Sequence, residues 1–449
     1  MATNSLSLSP NVFGRGRVRV GVGVLTWVVA LCAMLISSDL IALRPGGFTL
    51  RPSDLLMAVA IVAALPEALG GLTFRWPLGF GLLLMWTVFV LIFVPNTPFL
   101  MRSIGYAAWL LLDVGFVFAA VQIIDGPAKL AVVLRWYAVS FGVIAALGLL
   151  QFFLPFLGVT PPFVRQWWIP GSLARVNGLS YEPSYFAGYM VVGWVFVTSL
   201  ARHRSVLLSR RTLRVLVVFT SLVLIVGSSR SGWAIMLGWS AWYLFQTLKR
   251  KPARLVAATC LLVAIGLGVV YEVQEKRQET QQFLNGTGLM GTASYSVSVR
   301  FKSFEDTLGV FADSPFIGVS LGGIIPALAS RKGQLVVHQA ETKKDAEQSQ
   351  GTTAEALAAT GLFGFPFYVL YMFGLVWKPR RLSRFSPELR ALVNSFVAAM
   401  IVMQVQANIL QGYVWLVIAL LSACFAVLQG SRVHVLPGAV TSSSEVGAS

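Results

Sequence analysis

Apolar residues run through this chain in unbroken stretches of bilayer length, and polar residues gather in clusters between them. Twelve such stretches are predicted, near 21–43, 53–73, 77–95, 104–124, 131–157, 183–200, 213–228, 231–248, 255–271, 352–376, 391–411 and 413–429. A helix needs about 20 apolar residues to cross a hydrocarbon core of about 30 Å. The runs are continuous rather than alternating, which excludes a β-barrel. The pattern predicts an all-α polytopic membrane protein with about twelve transmembrane helices.

One long polar stretch interrupts this pattern. Residues 272–351 hold charges such as Glu272, Lys276, Arg300, Asp313, Lys343 and Glu347, between predicted helices 9 and 10. The chain then divides into a polar segment 1–20, helices 1–9 over 21–271, a large loop 272–351, helices 10–12 over 352–429 and a tail 430–449. The tail, ending Thr-Ser-Ser-Ser-Glu-Val-Gly-Ala-Ser, is expected to be disordered. The first apolar run is long enough to span, so it reads as a retained helix rather than a cleaved leader.

Composition agrees. Of 449 residues 56% are hydrophobic and only 12% charged, against about 25% charged in a soluble domain. The net charge of +17 does not point to nucleic acid, because the basic residues flank apolar runs in short loops. Lys and Arg concentrate in one set of loops, at Arg15, Arg17, Arg19, Arg210, Arg211, Arg214, Lys249, Arg250, Lys251, Lys378, Arg380, Arg381 and Arg384. The other set holds only Arg44, Arg51, Arg102, Arg165, Arg175 and Arg230 outside the large loop. The positive-inside rule places both termini in the cytoplasm and the large loop on the outer face. On this reading Lys-Pro-Arg-Arg at 378–381 is an inner-face topology signal. Cys32, Cys260 and Cys424 lie in separate apolar runs and form neither a metal spacing nor a disulfide pattern.

Candidate chemistry sits on the outer face. Arg175, Arg230 and Arg300 stand at or near membrane depth, where an unexplained arginine costs about 2.5–3.5 kcal/mol or more. A guanidinium presents a planar fork of donors suited to phosphate oxygens; snorkelling to the headgroups is the alternative. Arg230 lies in Gly-Ser-Ser-Arg-Ser-Gly, a small-residue turn before a helix that favours an anion. Glu182, in Tyr-Glu-Pro-Ser-Tyr, is either a helix cap or a carboxylate able to accept a proton from a sugar hydroxyl. Tyr181 beside it joins the substrate-binding set. Ser294–Gly309 is amphipathic, with Val297, Phe301, Phe304 and Leu308 as its expected apolar stripe. The Gly- and Pro-rich turn after Asp313 is expected to let backbone approach a ligand. His203, His338 and His434 read as ordinary surface residues. Asp113 and Glu67 are the mid-span charges, Asp113 as a proton relay, half of a buried pair or a residue at a span edge. No Walker loop, Asp-x-Asp or His-Glu-x-x-His occurs, so neither an ATP-driven pump nor a nucleotide-sugar transferase is indicated.

Four segments together resemble the O-antigen ligase and polymerase superfamily of bacterial envelope proteins. They are Arg175-Val-Asn-Gly-Leu-Ser-Tyr-Glu-Pro-Ser, Ser229-Arg230-Ser-Gly, Arg300 followed by Asp313-Ser-Pro-Phe-Ile-Gly-Val-Ser-Leu-Gly, and Glu355-Ala-Leu-Ala-Ala-Thr-Gly-Leu-Phe-Gly. The resemblance implies a bacterial inner-membrane glycosyltransferase with a periplasmic site. Its donor and acceptor would be polyprenyl-diphosphate-linked glycans, with no cofactor or metal and possible association with a chain-length regulator. It implies Glu182, Glu355, Arg230 and Arg300 as catalytic residues, and Arg175, Arg230, Arg300 and Tyr181 as substrate-binding residues. Ligases carry a His-Asn pair just before the closing helix; here those positions hold Gln350-Gly351, and His338 lies twelve residues too early. With Glu-Pro-Ser present, the resemblance favours a polymerase over a ligase. A transporter of polysaccharide or lipid-linked sugar is the rival class, but no two-fold repeat supports it.

Overall fold

The computed structural model describes residues 23–43, 50–70, 74–97, 100–227, 229–249, 297–331, 351–405 and 409–433. Predicted span 255–271, the greater part of loop 272–351 including His338, and residues 434–449 of the tail lie outside the described residues, while 430–433 continue the last helix. Every other predicted stretch holds a helix: α1 Val24–Leu35, α2 Pro52–Gly70, α3 Phe80–Ile92, α4 Leu100–Ile123, α5 Pro127–Phe153, α6 Pro183–Arg202, α7 Arg210–Val226 and α8 Arg230–Leu248. From the large loop come α9 Val297–Asp313 and the short α10 Ile324–Arg331, and then α11 Thr352–Trp377, α12 Pro387–Met403 and α13 Gly412–Val433. A two-stranded antiparallel hairpin, β1 Gln166–Ile169 and β2 Leu173–Arg175, precedes α6.

Five described segments are long and apolar enough to cross a membrane: Leu100–Ile123, Pro127–Leu157, Pro183–Arg202, Thr352–Arg384 and Gly412–Gly430. Helices α1, α2 and α3 are apolar but offer shorter stretches. The bundle is layered by burial. In α13 83% and in α6 78% of the apolar window is buried, whereas in α5 the figure is 33%. Thus α6 and α13 form the interior, with α12 against α6 and α4 against α13. Around them α1 packs on α5 and α2, α7 on α5 and α6, and α3 on α11. Val62, Leu84, Leu111, Val143, Val218, Leu222 and Leu370 remain exposed along the helices. A surface meant for lipid tails has no reason to hide such residues.

Helix α11 is broken. Gly361 has φ 56° and ψ −162° inside it, a conformation that strains any residue with a Cβ. The break leaves helical backbone groups without intrahelical partners. The segment after α9 supplies them: Val319 and Ser320 donate to the carbonyls of Ala358 and Ala359 at 2.9 and 3.0 Å. Leu362 and Phe363 donate in return to Pro315 and Phe316 at 2.8 and 3.2 Å. Gly318, at φ 68°, sits so tightly that a Cβ would lie 2.5 Å from the Ala359 backbone, and a Cβ on Gly361 would overlap Phe316. The turn after Asp313 was expected to bring backbone to a ligand. Its Gly318 instead meets backbone of the same chain.

Helix α9 corrects a second expectation. Its buried residues are Ser303, Thr307 and Val310, at helical spacing, and Phe301 is 63% exposed. The predicted stripe was rotated because α9 meets α11, and small hydroxyl residues permit that close packing. The Thr307 hydroxyl donates to the Ser303 carbonyl at 2.7 Å, so it needs no outside partner.

Candidate active site

One end of the bundle gathers the N-termini of α2, α6, α8, α11 and α13. At the mouth of α6, Glu182 is the N-cap residue in extended conformation (φ −126°), followed by Pro183 in the first turn. Its carboxylate makes no capping bond to the backbone; it accepts instead from the Ser184 hydroxyl at 3.0 Å. It remains partly exposed, so the capping role open to it from sequence is not the one its side chain performs.

Glu355 stands in the first turn of α11. It is buried, and one oxygen accepts the backbone N–H of Ile409 at 2.8 Å. A carboxylate near a helix N-terminus is favoured by the exposed amide dipoles. Here it also ties the link between α12 and α13 to α11, assisted by Thr352, whose hydroxyl donates to the Met403 carbonyl at 3.0 Å. Tyr185 of α6 is close enough to Glu182, Glu355, Asp39 and Tyr413 to feel each electrostatically. Glu182 and Glu355, 173 positions apart in the numbering, therefore share one neighbourhood.

The arginines are placed differently. Arg175 ends β2 opposite Gln166 and donates to its side-chain oxygen at 2.7 Å. The Arg165 guanidinium lies 5.9 Å from the Tyr181 ring centroid. Arg230 opens α8, whose N-cap Ser229 accepts from the Gly232 amide at 3.4 Å. Gly232 lies beside Ala187 on α6, so the α8 start is set just beyond the Glu182 mouth. Phe186 joins these pieces, with Gly178 of the Arg175 loop and Gly148 of α5 packed against its ring. Arg300 lies in the first turn of α9. One turn on, Phe304 meets Gly351, the N-cap of α11. For Arg230 and Arg300 the description extends to the backbone, and their side chains lie outside it. The backbone sets both residues at the same end as Glu182 and Glu355.

Two groups at this end were not anticipated. Asn177 and Gln151, both fully buried, hold the loop before α6. Asn177 donates to the carbonyls of Phe163 and Ser180 at 3.0 and 2.8 Å. Gln151 accepts from the Asn177 and Gly178 amides at 3.2 and 2.8 Å. Single amides carry no spacing signature, so nothing in the pattern marks them. The second group is Arg51, paired with Asp39 at 2.7 Å. Its own amide donates to Asp54 at 2.8 Å, the reciprocal half of a capping box. Arg-Pro-Ser-Asp at 51–54 could have shown that half. Asp113, buried in α4, lies in the field of Asp54 and Arg51.

Among the described residues no group of three or more His, Cys, Asp or Glu side chains could hold a metal ion. The chemistry on offer is a partly exposed carboxylate, a buried one, hydroxyls of Ser184 and Tyr185, and backbone positions for three guanidinium groups. Residues 215–369 match a protein-family model, Wzy_C, described as O-antigen ligase. This region runs from α7 through the first half of α11 and beyond its break. Comparison with curated proteins gives no match.

Proposed function

We propose that this chain, whose residues 215–369 support its membership of the O-antigen ligase/polymerase superfamily, polymerises lipid-diphosphate-linked glycan repeat units at the end of the bundle that carries Glu182. The coarser statement stands on the family and the helices: a membrane protein and an enzyme of the glycosyltransferase kind. Polymerase rather than ligase is the finer reading. The observation that carries it is Gly351. The asparagine of the ligase-type pair would fall there, yet Gly351 has φ 84° and a Cβ on it would lie 2.9 Å from the Phe304 ring. The helix start is shaped for glycine, and an asparagine at 351 would need the Phe304 ring to shift.

In the proposed reaction the donor's diphosphate enters from the membrane and is held by Arg175, Arg230 and Arg300. A hydroxyl of the acceptor sugar attacks the anomeric carbon from the opposite side. Its proton passes to the Glu182 carboxylate as the new C–O bond forms. The old bond to the diphosphate oxygen breaks with its electron pair, and the arginines stabilise the charge that collects there. Inversion at the anomeric carbon follows from single displacement. Glu182 suits the base role because it is partly exposed and bound only to a hydroxyl among the contacts given above. Glu355 suits positioning, because it is buried and committed to Ile409. Tyr181 lines the approach. The setting would be the outer face of the bacterial inner membrane, with both termini in the cytoplasm and a chain-length regulator as possible partner.

Removing one preorganised donor of this type costs about 2.7–4 kcal/mol, a rate loss of about 10²–10³. Arg230→Ala and Arg300→Ala are therefore expected to abolish long polymer in a deletion strain at normal membrane abundance. Accumulation of single lipid-linked repeat units marks a polymerase. Free lipid-linked polymer that never reaches its acceptor marks a ligase and overturns the finer reading. Normal polymer in both variants overturns the arginine roles.

A further inference from the structure

At the opposite end of α11 a cavity of 740 Å³ opens between the start of α3 and the ends of α11 and α13. Its wall includes Trp76, Trp377, Lys378, Arg380, Arg381 and Arg384. No carboxylate belongs to that wall, and among the described residues none of the four cations is in an ion pair. A topology signal needs only positive charge near a helix end; it does not need four cations around one concavity. Like charges so gathered repel one another until an anion enters.

We propose that this cavity binds the headgroup phosphate of an anionic phospholipid, on the face away from the reaction centre. Three features select a lipid over a free phosphate. Beside Gln429 the rest of the wall carries the apolar side chains of Leu78, Pro77 and Phe425, and a soluble anion would leave that surface wet. Trp76 and Trp377 are large, exposed rings, the residue type that settles at headgroup depth. The Arg380 guanidinium stands 5.9 Å from the Trp377 ring centroid, which orients it at the rim. Finally, Thr352–Arg384, which holds both halves of α11, is long and apolar enough to cross a membrane. Its two ends thus lie on either side of a hydrocarbon core of about 30 Å, and this end meets the opposite leaflet. Basic pockets between membrane helices commonly receive such headgroups.

The test uses the full chain in nonionic detergent with added phosphatidylglycerol, phosphatidylethanolamine or inorganic phosphate. Lipid retained after size exclusion is read by native mass spectrometry, alongside the unfolding temperature. Phosphatidylglycerol is expected to be retained and to raise the unfolding temperature, and phosphatidylethanolamine to do neither. Each neutralised arginine is expected to weaken retention about fivefold, so R380Q/R381Q/R384Q loses it. R380K/R381K/R384K keeps the charge and is expected to retain lipid, which separates binding from misfolding. Equal retention of the two lipids, the same thermal shift with inorganic phosphate, or loss of retention in the lysine set would each overturn the proposal. Polymer formation is not part of the readout, so the proposed reaction can fail without touching this result.

Discussion

The two ends of α11 are built from opposite electrostatic materials. At its start, Glu355 is buried, hydrogen-bonded and near other carboxylates, Glu182 and Asp39, while Arg51 is matched to Asp39. At its finish, four cations line a concavity with no acid in the wall. The first arrangement matches Asp39 with Arg51 and Glu355 with a backbone amide, and leaves the Glu182 carboxylate partly open. The second leaves charge to be satisfied by something else. The contrast teaches that basic residues around helices are not all of one kind. Charge matched within the fold fixes geometry, whereas charge left unmatched in a concave, aromatic-rimmed place marks a binding surface.

The strongest way to break the comparison is to disturb what shapes the start of α11. Gly318→Ala and Gly361→Ala each force a Cβ into facing backbone at a positive φ. Each is expected to cost about 3 kcal/mol or more, seen as loss of monodisperse protein in size exclusion and of all polymer. If Gly361→Ala purifies with an unchanged unfolding temperature, the paired break does not hold this end together.

The next largest effect separates the two carboxylates. Glu182→Gln is expected to lower transfer by about 10²–10⁴-fold, the usual worth of a general base, without shifting the unfolding temperature. Glu355→Gln weakens a bond to a charged acceptor, worth about 1.5–3 kcal/mol, so stability and polymer are expected to fall together. The opposite pattern, with Glu355→Gln stable but inactive, would exchange their roles.

The smallest effect lies at the other end. His203, just after α6, receives the Arg390 guanidinium at 3.1 Å on Nδ1. Burial, then the charges of Arg390 and Arg202, push its pKa from 6.5 down to about 4. Because the folded form binds the proton less readily than the unfolded chain, its contribution to stability is complete above about 6.5. It is lost progressively as pH falls toward 4. The unfolding temperature is expected to drop across that window, and His203→Asn to flatten the drop.

Much of this was legible before any coordinates. Hydrocarbon demands long apolar runs, so the helices announced themselves; Glu182 and the α7–α8 turn stood out as polar groups beside such runs, and Glu355 came from the family resemblance. What was hidden depended on partners distant in sequence. Nothing local says that Gly318 faces the Ala359 backbone, so the glycines read as a loose ligand-facing turn. The α9 stripe was read from Phe301 and Leu308, while packing on α11 selected Ser303 and Thr307. Arg51 was counted as loop charge because Asp39 lies beyond the reach of a short motif, and His203 passed as ordinary because Arg390 belongs to another helix.

The break at Gly361 has a consequence for exchanging parts between related chains. The strip 315–320 and the step 358–363 lend each other backbone bonds, much as two halves of a zip fastener share one seam. A transplanted outer segment would arrive with teeth cut for its own parent helix. Its donor should supply both halves, or the host's α11 keeps open amides where the seam should close.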